Sequence, residues 1–276
     1  MTALLGALFS LYLLYLLWEA HAVRIARKKL AHVVHVNGTR GKSTVSRLIE
    51  AGLRAGGLRV FCKTTGTDPM TIDVNGREEL ICRRGKANIK EQIAVLRRAA
   101  AQNAQVLVVE CMAITPEFQQ TSQHDILRAD IGVITNVRRD HMDVMGDTLP
   151  RIADALCHTV PRRGILFTAE TVMTEWLKAA AEKNGSSFVC AEVRGDEKRS
   201  TFQRTSPLRL LFVRNSVCRA RQRLPGCSAF RATPTRFRCT DWGRLRSSAD
   251  FPLTISSRSA WCGKSCARST AGRTKS

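Results

Sequence analysis

Residues 33–55 read VVHVNGTRGKSTVSRLIEAGLRA, and the hydrophobic period changes inside this stretch. Val33 to Val36 is a short β-branched run that reads as a buried strand. Thr44 to Ala55 places Val45, Leu48, Ile49 and Leu53 on one face of a helix. Between them Gly38 to Ser43 forms a turn. A strand that runs through glycines straight into a helix converges loop N–H groups and the helix N-terminus on one point, which suits phosphate. In Gly38-Thr39-Arg40-Gly41-Lys42-Ser43-Thr44, Lys42 is placed to reach terminal phosphates as a point charge, and the Ser43 hydroxyl to ligate Mg²⁺. The spacing departs from the general G-x-x-x-x-G-K-[ST] loop, because Val36 stands where the first glycine would be. A bare G-K-[ST] is common by chance; its place between strand and helix favours nucleotide binding over an ordinary glycine turn.

Outward from this loop, short β-branched runs alternate with helical patterns, the signature of a parallel sheet with crossover helices. Arg59 to Lys63 reads as a second strand. Thr71 to Cys82 contains Asn75-Gly76 between two alternating runs, a strong hairpin signal. Ile89 to Ala101 is a predicted helix, and Val106 to Glu110, Ile131 to Thr135 and Gly164 to Thr168 are predicted buried strands. Further helices are expected near Thr148 to Thr159 and Thr171 to Lys183. The expected fold class is α/β, a doubly wound and mostly parallel sheet built around a phosphate loop. In such sheets ligands bind at the carboxyl ends of the strands.

Two further motifs fall at strand ends. Glu110 closes VLVVE and puts a carboxylate at the rim where phosphates would lie. It reads as a second metal ligand or water-positioning group, with a solvent-facing strand end as the plainer reading. Asn136 to Asp143, NVRRDHMD, follows the strand Ile131 to Thr135 directly and offers the His141 imidazole flanked by two carboxylates. A carboxylate beside a ligating histidine fixes its tautomer and raises its basicity. Alone, His141 would be an ordinary surface histidine; three strand ends carrying phosphate or metal chemistry make a site.

The chain of 276 residues carries 44 Lys+Arg against 23 Asp+Glu, a net charge of +21 distributed unevenly. Residues 1–193 hold 25 basic and 19 acidic groups, residues 194–276 hold 19 and 4. The modest charge of the first part excludes a basic nucleic-acid-binding domain there, and its long regular apolar runs exclude disorder. Ala3 to Trp18, ALLGALFSLYLLYLLW, is free of charge. As a helix it would cover roughly 24 Å of a bilayer core about 30 Å thick, and continuation to Ile25 completes a crossing. Arg24, Arg27, Lys28 and Lys29 follow, so the positive-inside rule predicts a single-pass transmembrane helix with the remainder cytoplasmic. A secretory signal with Ala20-His21-Ala22 as cleavage site is the rival, but the basic cluster lies after the apolar run rather than before it. The ten cysteines form no C-x-x-C pair and match no zinc signature, and they read as reduced thiols. Past Val193, 16 Arg, 12 Ser and five Cys crowd into 83 residues with no sustained period. This is expected to be a disordered or aberrant tail, of the composition that GC-rich DNA gives when read out of frame; a natural basic tail binding polyanions is the alternative. The expected division is 1–29 anchor, 30–193 nucleotide domain and 194–276 tail.

Together GTRGKST and TNVRRDHMD resemble the Mur ligase superfamily, whose central domain carries a GT-x-GK-[ST]-T loop and an N-x-x-x-D-H-x-D segment. Within it, VNGTRGKSTV, KTTGTD at Lys63 to Asp68, ECMAITPEFQ from Glu110 and DHMDVMGDTLP from Asp140 resemble the ligase subunit of poly-γ-glutamate synthases, the PgsB/CapB family. The hydrophobic N-terminal helix belongs to the same likeness, which covers residues 1 to about 192. The resemblance implies an ATP-dependent amide ligase: ATP phosphorylates a glutamate γ-carboxylate, and the amine of another glutamate attacks the acyl phosphate. It implies that Gly38 to Thr44 hold the phosphates, with Lys42 among them, and that Ser43 holds the first Mg²⁺. Glu110 and His141 would hold a metal bridging γ-phosphate and carboxylate, Thr64 and Thr65 would contact the same ion, and Asn136 would help place the nucleotide. Glutamate, the growing polymer and small membrane subunits would be the partners, and nucleic acid is not expected.

One departure stands out. Many Mur-type ligases carry a carbamylated lysine in the helix after this histidine; between Asp143 and Pro161 the one Lys or Arg here is Arg151, which cannot form the carbamate. Three readings compete: the ligase, a phosphate-loop ATPase or kinase indifferent to glutamate, and a nonfunctional remnant whose tail binds polyanions. The resemblance implies a further carboxyl-terminal domain that helps bind nucleotide and incoming glutamate, so an out-of-frame tail would cost the chain that part and, with it, ligase activity.

Overall fold

In the computed structural model the described residues are 2–66, 68–83, 85 and 87–191. The tail expected from residue 194 lies outside them. In chain order they form α1 (Thr2–Lys29), β1 (His32–Asn37), α2 (Lys42–Ala55), β2 (Val60–Lys63), β3 (Met70–Ile72), β4 (Glu78–Leu80), α3 (Glu91–Ala101) and β5 (Val106–Glu110). α4 (Pro116–Gln120) runs into a π-helical segment, Thr121–Leu127, and β6 (Ile131–Ile134), α5 (Met142–Met145), α6 (Leu149–Cys157), β7 (Ile165–Thr168), α7 (Thr174–Lys183) and β8 (Ser187–Cys190) follow.

The eight strands make one sheet in the order β4-β3-β2-β5-β1-β6-β7-β8. All neighbouring pairs from β2 to β8 are parallel. The β2-β3 and β3-β4 pairs are antiparallel, and β3-β4 is the expected hairpin. Its turn is held by Asp73, whose carboxylate accepts from the amides of Asn75 and Arg77 at 2.8 and 2.9 Å. β1 lies between β5 and β6, where the chain reverses its direction of travel across the sheet. A crevice forms at such a switch point, and the loops after β1, β5 and β6 all open there.

Alternation along β1 divides the core. Val34 and Val36 pack with Val45, Ile49 and Leu53 of α2 and with Val60, Cys62, Val106 and Val108. Val33 faces the other side, with Phe61, Leu107, Val109, and Leu96 and Ala99 of α3. A third cluster joins Ile134 and Leu166 to Ile152 and Leu156 of α6 and Leu177 of α7.

α1 is a single helix of two characters. An 18-residue window of it has mean hydropathy 1.7 and is wholly exposed, so by length and composition it can cross a membrane. Its last turns instead join the core: Val23 and Ala26, one helical turn apart, pack with Leu96, Ala99 and Ala100 of α3. Asp130 locks that junction. One of its oxygens accepts from Arg27 at 3.0 Å and from the Val33 amide at 2.8 Å, and the other lies 2.5 Å from His32 Nδ1.

Burial alone would raise the Asp130 pKa; the hydrogen bonds from His32 and the Val33 amide, aided by the charges of His32 and Arg27, outweigh it and hold the carboxyl below its ordinary value. A depressed folded-state pKa gives stability that is present above the unfolded value of about 4 and is lost as pH falls through the folded one. Urea midpoints should therefore fall more steeply below about pH 4 for the native chain than for Asp130→Asn. Parallel pH profiles for the two would contradict this account.

Candidate functional site

The loop after β1 is anchored before it reaches α2. Thr39 donates its amide to the Asn136 carbonyl at 3.1 Å. The Asn136 side chain accepts from Thr39 Oγ1 at 2.6 Å and from the Arg40 amide at 3.1 Å, and donates to the Arg40 carbonyl at 3.0 Å. Thr135 Oγ1 donates to the same carbonyl at 2.7 Å. So the end of β6 holds the β1 loop through Thr135 and Asn136. Both functional ends of the Asn136 amide are spent on the loop, and its effect on a bound nucleotide would pass through loop shape.

Two glycines make the geometry possible. Gly38 has φ +127°, and a Cβ there would stand 2.1 Å from Thr135 Oγ1 and 2.9 Å from the Thr135 amide nitrogen. Gly41 takes the left-handed region at φ 77°, and α2 begins on the next residue. No side chain caps α2, which leaves the N–H donors of its first turn facing the loop. An anion of phosphate type fits that arrangement. The Lys42 ammonium folds over the loop and donates to the Gly38 carbonyl at 2.7 Å and the Thr39 carbonyl at 3.4 Å. Arg40 projects outward, 67% exposed, with its Nε 3.3 Å from Asp140.

Glu110 is 2% exposed, which removes the solvent-facing alternative. Its Oε1 accepts from Ser43 Oγ at 3.0 Å and its Oε2 from the Thr65 amide at 2.6 Å. Residues from the ends of β1, β2 and β5 thus meet at one carboxylate. Ser43 and Glu110 supply hard oxygen donors side by side, which suits Mg²⁺; such an ion keeps waters and takes phosphate oxygens besides one or two protein ligands. Among the described residues no group of three or more His, Cys, Asp or Glu side chains could hold a metal ion, so an ion here would depend on a nucleotide to complete its shell. Thr64 is buried and its amide is spent on Met70 O at 2.9 Å.

His141 stands apart from this group. It is exposed, takes a left-handed φ of 46°, caps α5 and makes no side-chain hydrogen bond among the described residues. Asp140, expected beside it as an orienting carboxylate, is turned to Arg40. Arg151 sits exposed near the start of α6, 3.7 Å from Asp147.

Sequence reasoning passed over Glu170, which follows β7 much as Glu110 ends β5. Its buried carboxylate accepts from the Val137 amide at 2.6 Å and from the amides of Thr171 and Val172 at 2.9 and 2.8 Å, with Arg138 at 3.5 Å. It shapes the turn that carries Asn136 to His141. The signal was present, in a second apolar strand leading to a carboxylate, ILFTAE.

Fold and loop define an α/β protein with a glycine loop between strand and helix at the switch point of a parallel sheet. The model of the Mur ligase middle domain matches residues 36–207, and the chain belongs to that family. It is similar to the capsule biosynthesis protein CapB of Bacillus anthracis, at 36% identity over 194 residues, 70% of this chain and 42% of that protein. It is also similar to the PGA synthase CapB of Bacillus subtilis (strain 168), at 42% identity over 161 residues, 58% of this chain and 41% of that one. The chain thus spans about two fifths of the length of these curated relatives. Among solved structures, an FPGS-AMPPCP-folate complex superposes with TM-score 0.55 at 16% identity, and the apo form of L. casei FPGS with TM-score 0.53 at 16%. Each comparison covers 74% of this chain and 62% of that one, and at such identity the likeness is one of fold.

Gly38→Ala should cost about 1–3 kcal/mol of stability, since the added methyl must displace Thr135 from the loop. Urea unfolding measures this, and an unchanged midpoint would contradict the described contact.

Proposed function

We propose that the chain carries the ATP-binding domain, residues 30–193, of an ATP-dependent amide ligase that extends poly-γ-glutamate. One observation carries the reading: the Glu110 carboxylate, buried beside the loop, is shared between Ser43 and the Thr65 amide. Similarity to two CapB proteins supports the capsule-type substrate, glutamate and a growing γ-linked chain.

In this mechanism the residues of the chain position and screen charge. ATP, a carboxylate and an amine are brought in line, and most of the barrier to their reaction is mutual repulsion and loss of freedom. The loop amides and the first turn of α2 hold the phosphates. Lys42 swings from its carbonyl contacts to the terminal phosphates. Ser43 and Glu110 would hold Mg²⁺, which would supply charge neutralisation for the phosphates. The Thr65 amide fixes the second Glu110 oxygen, so the carboxylate cannot rotate away from Ser43. Asn136 and Glu170 keep the two loops in register. His141, exposed at the start of α5, would have to move to join the metal ligands.

α1 serves as a single-pass anchor that keeps the domain on the cytoplasmic face of the membrane, where small membrane subunits and the growing polymer meet it. Flotation with phospholipid vesicles should carry the whole chain upward, whereas the chain from Val23 onward should stay in the dense fraction. Equal distribution of the two would contradict an anchor.

The purified chain supplied with ATP, Mg²⁺ and glutamate should release ADP faster than without glutamate. Lys42→Ala and Glu110→Gln should each lower that release about 100-fold or more, in the range seen when groups that stabilise developing charge are removed. Turnover indifferent to glutamate would replace the ligase reading with that of an ATPase. Polyanion binding without any ATP binding would mark a remnant.

A further inference from the structure

The residue before the Thr64-Thr65 pair is Lys63, the last of β2, and its side chain is 0% exposed. Val60 and Cys62 face α2 and Phe61 faces α3, so alternation puts Lys63 on the α3 side of the sheet. There its Nζ lies 2.7 Å from Glu91 Oε1, in the first turn of α3, and 3.3 Å from Met112 Sδ. Glu91 is held in turn by Arg83, whose Nε and Nη2 donate at 2.7 and 3.0 Å. Burial lowers the Lys63 pKa, with the bond and charge of Glu91 offsetting it only in part; for Glu91 burial is outweighed by the bonds from Arg83 and Lys63, which hold the carboxyl below its ordinary value, so it is ionised at neutral pH.

Stability alone does not account for a cation here. Replacing a buried ion pair with apolar side chains of similar volume is often neutral or stabilising. What the ammonium does achieve is a link between segments that border Glu110. Lys63 is two residues before Thr65, whose amide holds Glu110 Oε2, and Met112 is two residues after Glu110. The Glu91-Arg83 pair fixes this link to α3 from behind.

We propose that Lys63 is a positioning residue for the metal-binding carboxylate. It clamps the ends of β2 and β5 against α3, so that Glu110 Oε1 stays beside Ser43 Oγ. The inference rests on the nucleotide reading above and adds a residue that does not itself touch nucleotide or ion. Its effect is then on metal-dependent binding, and the phosphate loop on β1 should be untouched.

The test is calorimetric binding of ATP to the full chain, with Mg²⁺ and with EDTA, for the native protein and for Lys63→Met, whose fold is checked by circular dichroism. The expected result is an EDTA affinity within about twofold of native and a Mg²⁺-dependent gain reduced about tenfold. Should Lys63→Met fail to fold, Arg83→Met, which leaves the buried pair intact, should show a smaller reduction of the same kind. Affinities that fall together with and without Mg²⁺, or a Mg²⁺ gain that persists in the variant, would overturn the role of Lys63. A native chain that binds no ATP under either condition would instead overturn the nucleotide reading, and this inference with it.

Discussion

A single buried carboxylate organises the site. Glu110 ends a strand whose other residues are apolar and equally buried, so its charge has to be met by groups fixed in place. An ionised carboxylate taken from water costs several kcal/mol unless hydrogen bonds repay it. Here the repayment comes from Ser43 Oγ and the Thr65 amide, which makes the β1 loop, the β2 loop and β5 mutually dependent. Glu170 repeats the device just past the end of β7, where three backbone amides meet one carboxylate. Two anchored carboxylates therefore lie at the end of the sheet on which the β1 loop opens.

The two faces of the sheet solve different problems at this edge. On the α2 side the packing is apolar up to the loop, with Val36 in contact with the α2 cluster. On the opposite side His35 and Asn37 point into a polar layer. Asn37 donates to Gln119 at 2.8 Å and to Thr159 at 3.2 Å. His35 Nδ1 lies 2.8 Å from Gln123 Oε1, and the Gln123 amide nitrogen donates to Ala129 O, so the histidine carries its proton on Nδ1. Burial, partly offset by the Gln123 bond, pushes the His35 imidazole down to about 4, and it stays neutral. Gln119 and Gln123 come from α4 and the π-helical segment. Two side chains four residues apart there meet β1 positions two residues apart, since four residues of helix and two of strand each advance roughly 6–7 Å.

This polar layer explains what the sequence concealed. The β-branched runs and the glycine loop were legible because burial on both faces of a parallel strand leaves an unbroken apolar signature; β1, β2, β5, β6 and β7 fall where those runs predict, to within a residue or so. Residues 116–127, PEFQQTSQHDIL, carry no apolar stripe because their buried face includes Gln119, Ser122 and Gln123. Hydrophobic periodicity could not find that segment. β8 is only partly buried, so it lacks the apolar signature that marks the equally short β2, β6 and β7. α2 starts at Lys42, two residues before the expected Thr44, because left-handed Gly41 already completes the turn. The placement of Lys42, Ser43 and Glu110 around one loop was legible, because the loop and the strand ends dictate it. Placement was not legible at Asp140, where sequence adjacency pointed to His141 and the fold supplied Arg40, nor at Glu170, Lys63 and Glu91, whose partners lie far along the chain.

The most direct test is a crystal structure of the chain with Mg²⁺ and a non-hydrolysable ATP analogue. The account predicts the β- and γ-phosphates seated on residues 38–44, with Mg²⁺ at about 2.0–2.1 Å from Ser43 Oγ and Glu110 beside it. A nucleotide bound elsewhere, or an ion that touches neither Ser43 nor Glu110, would contradict it.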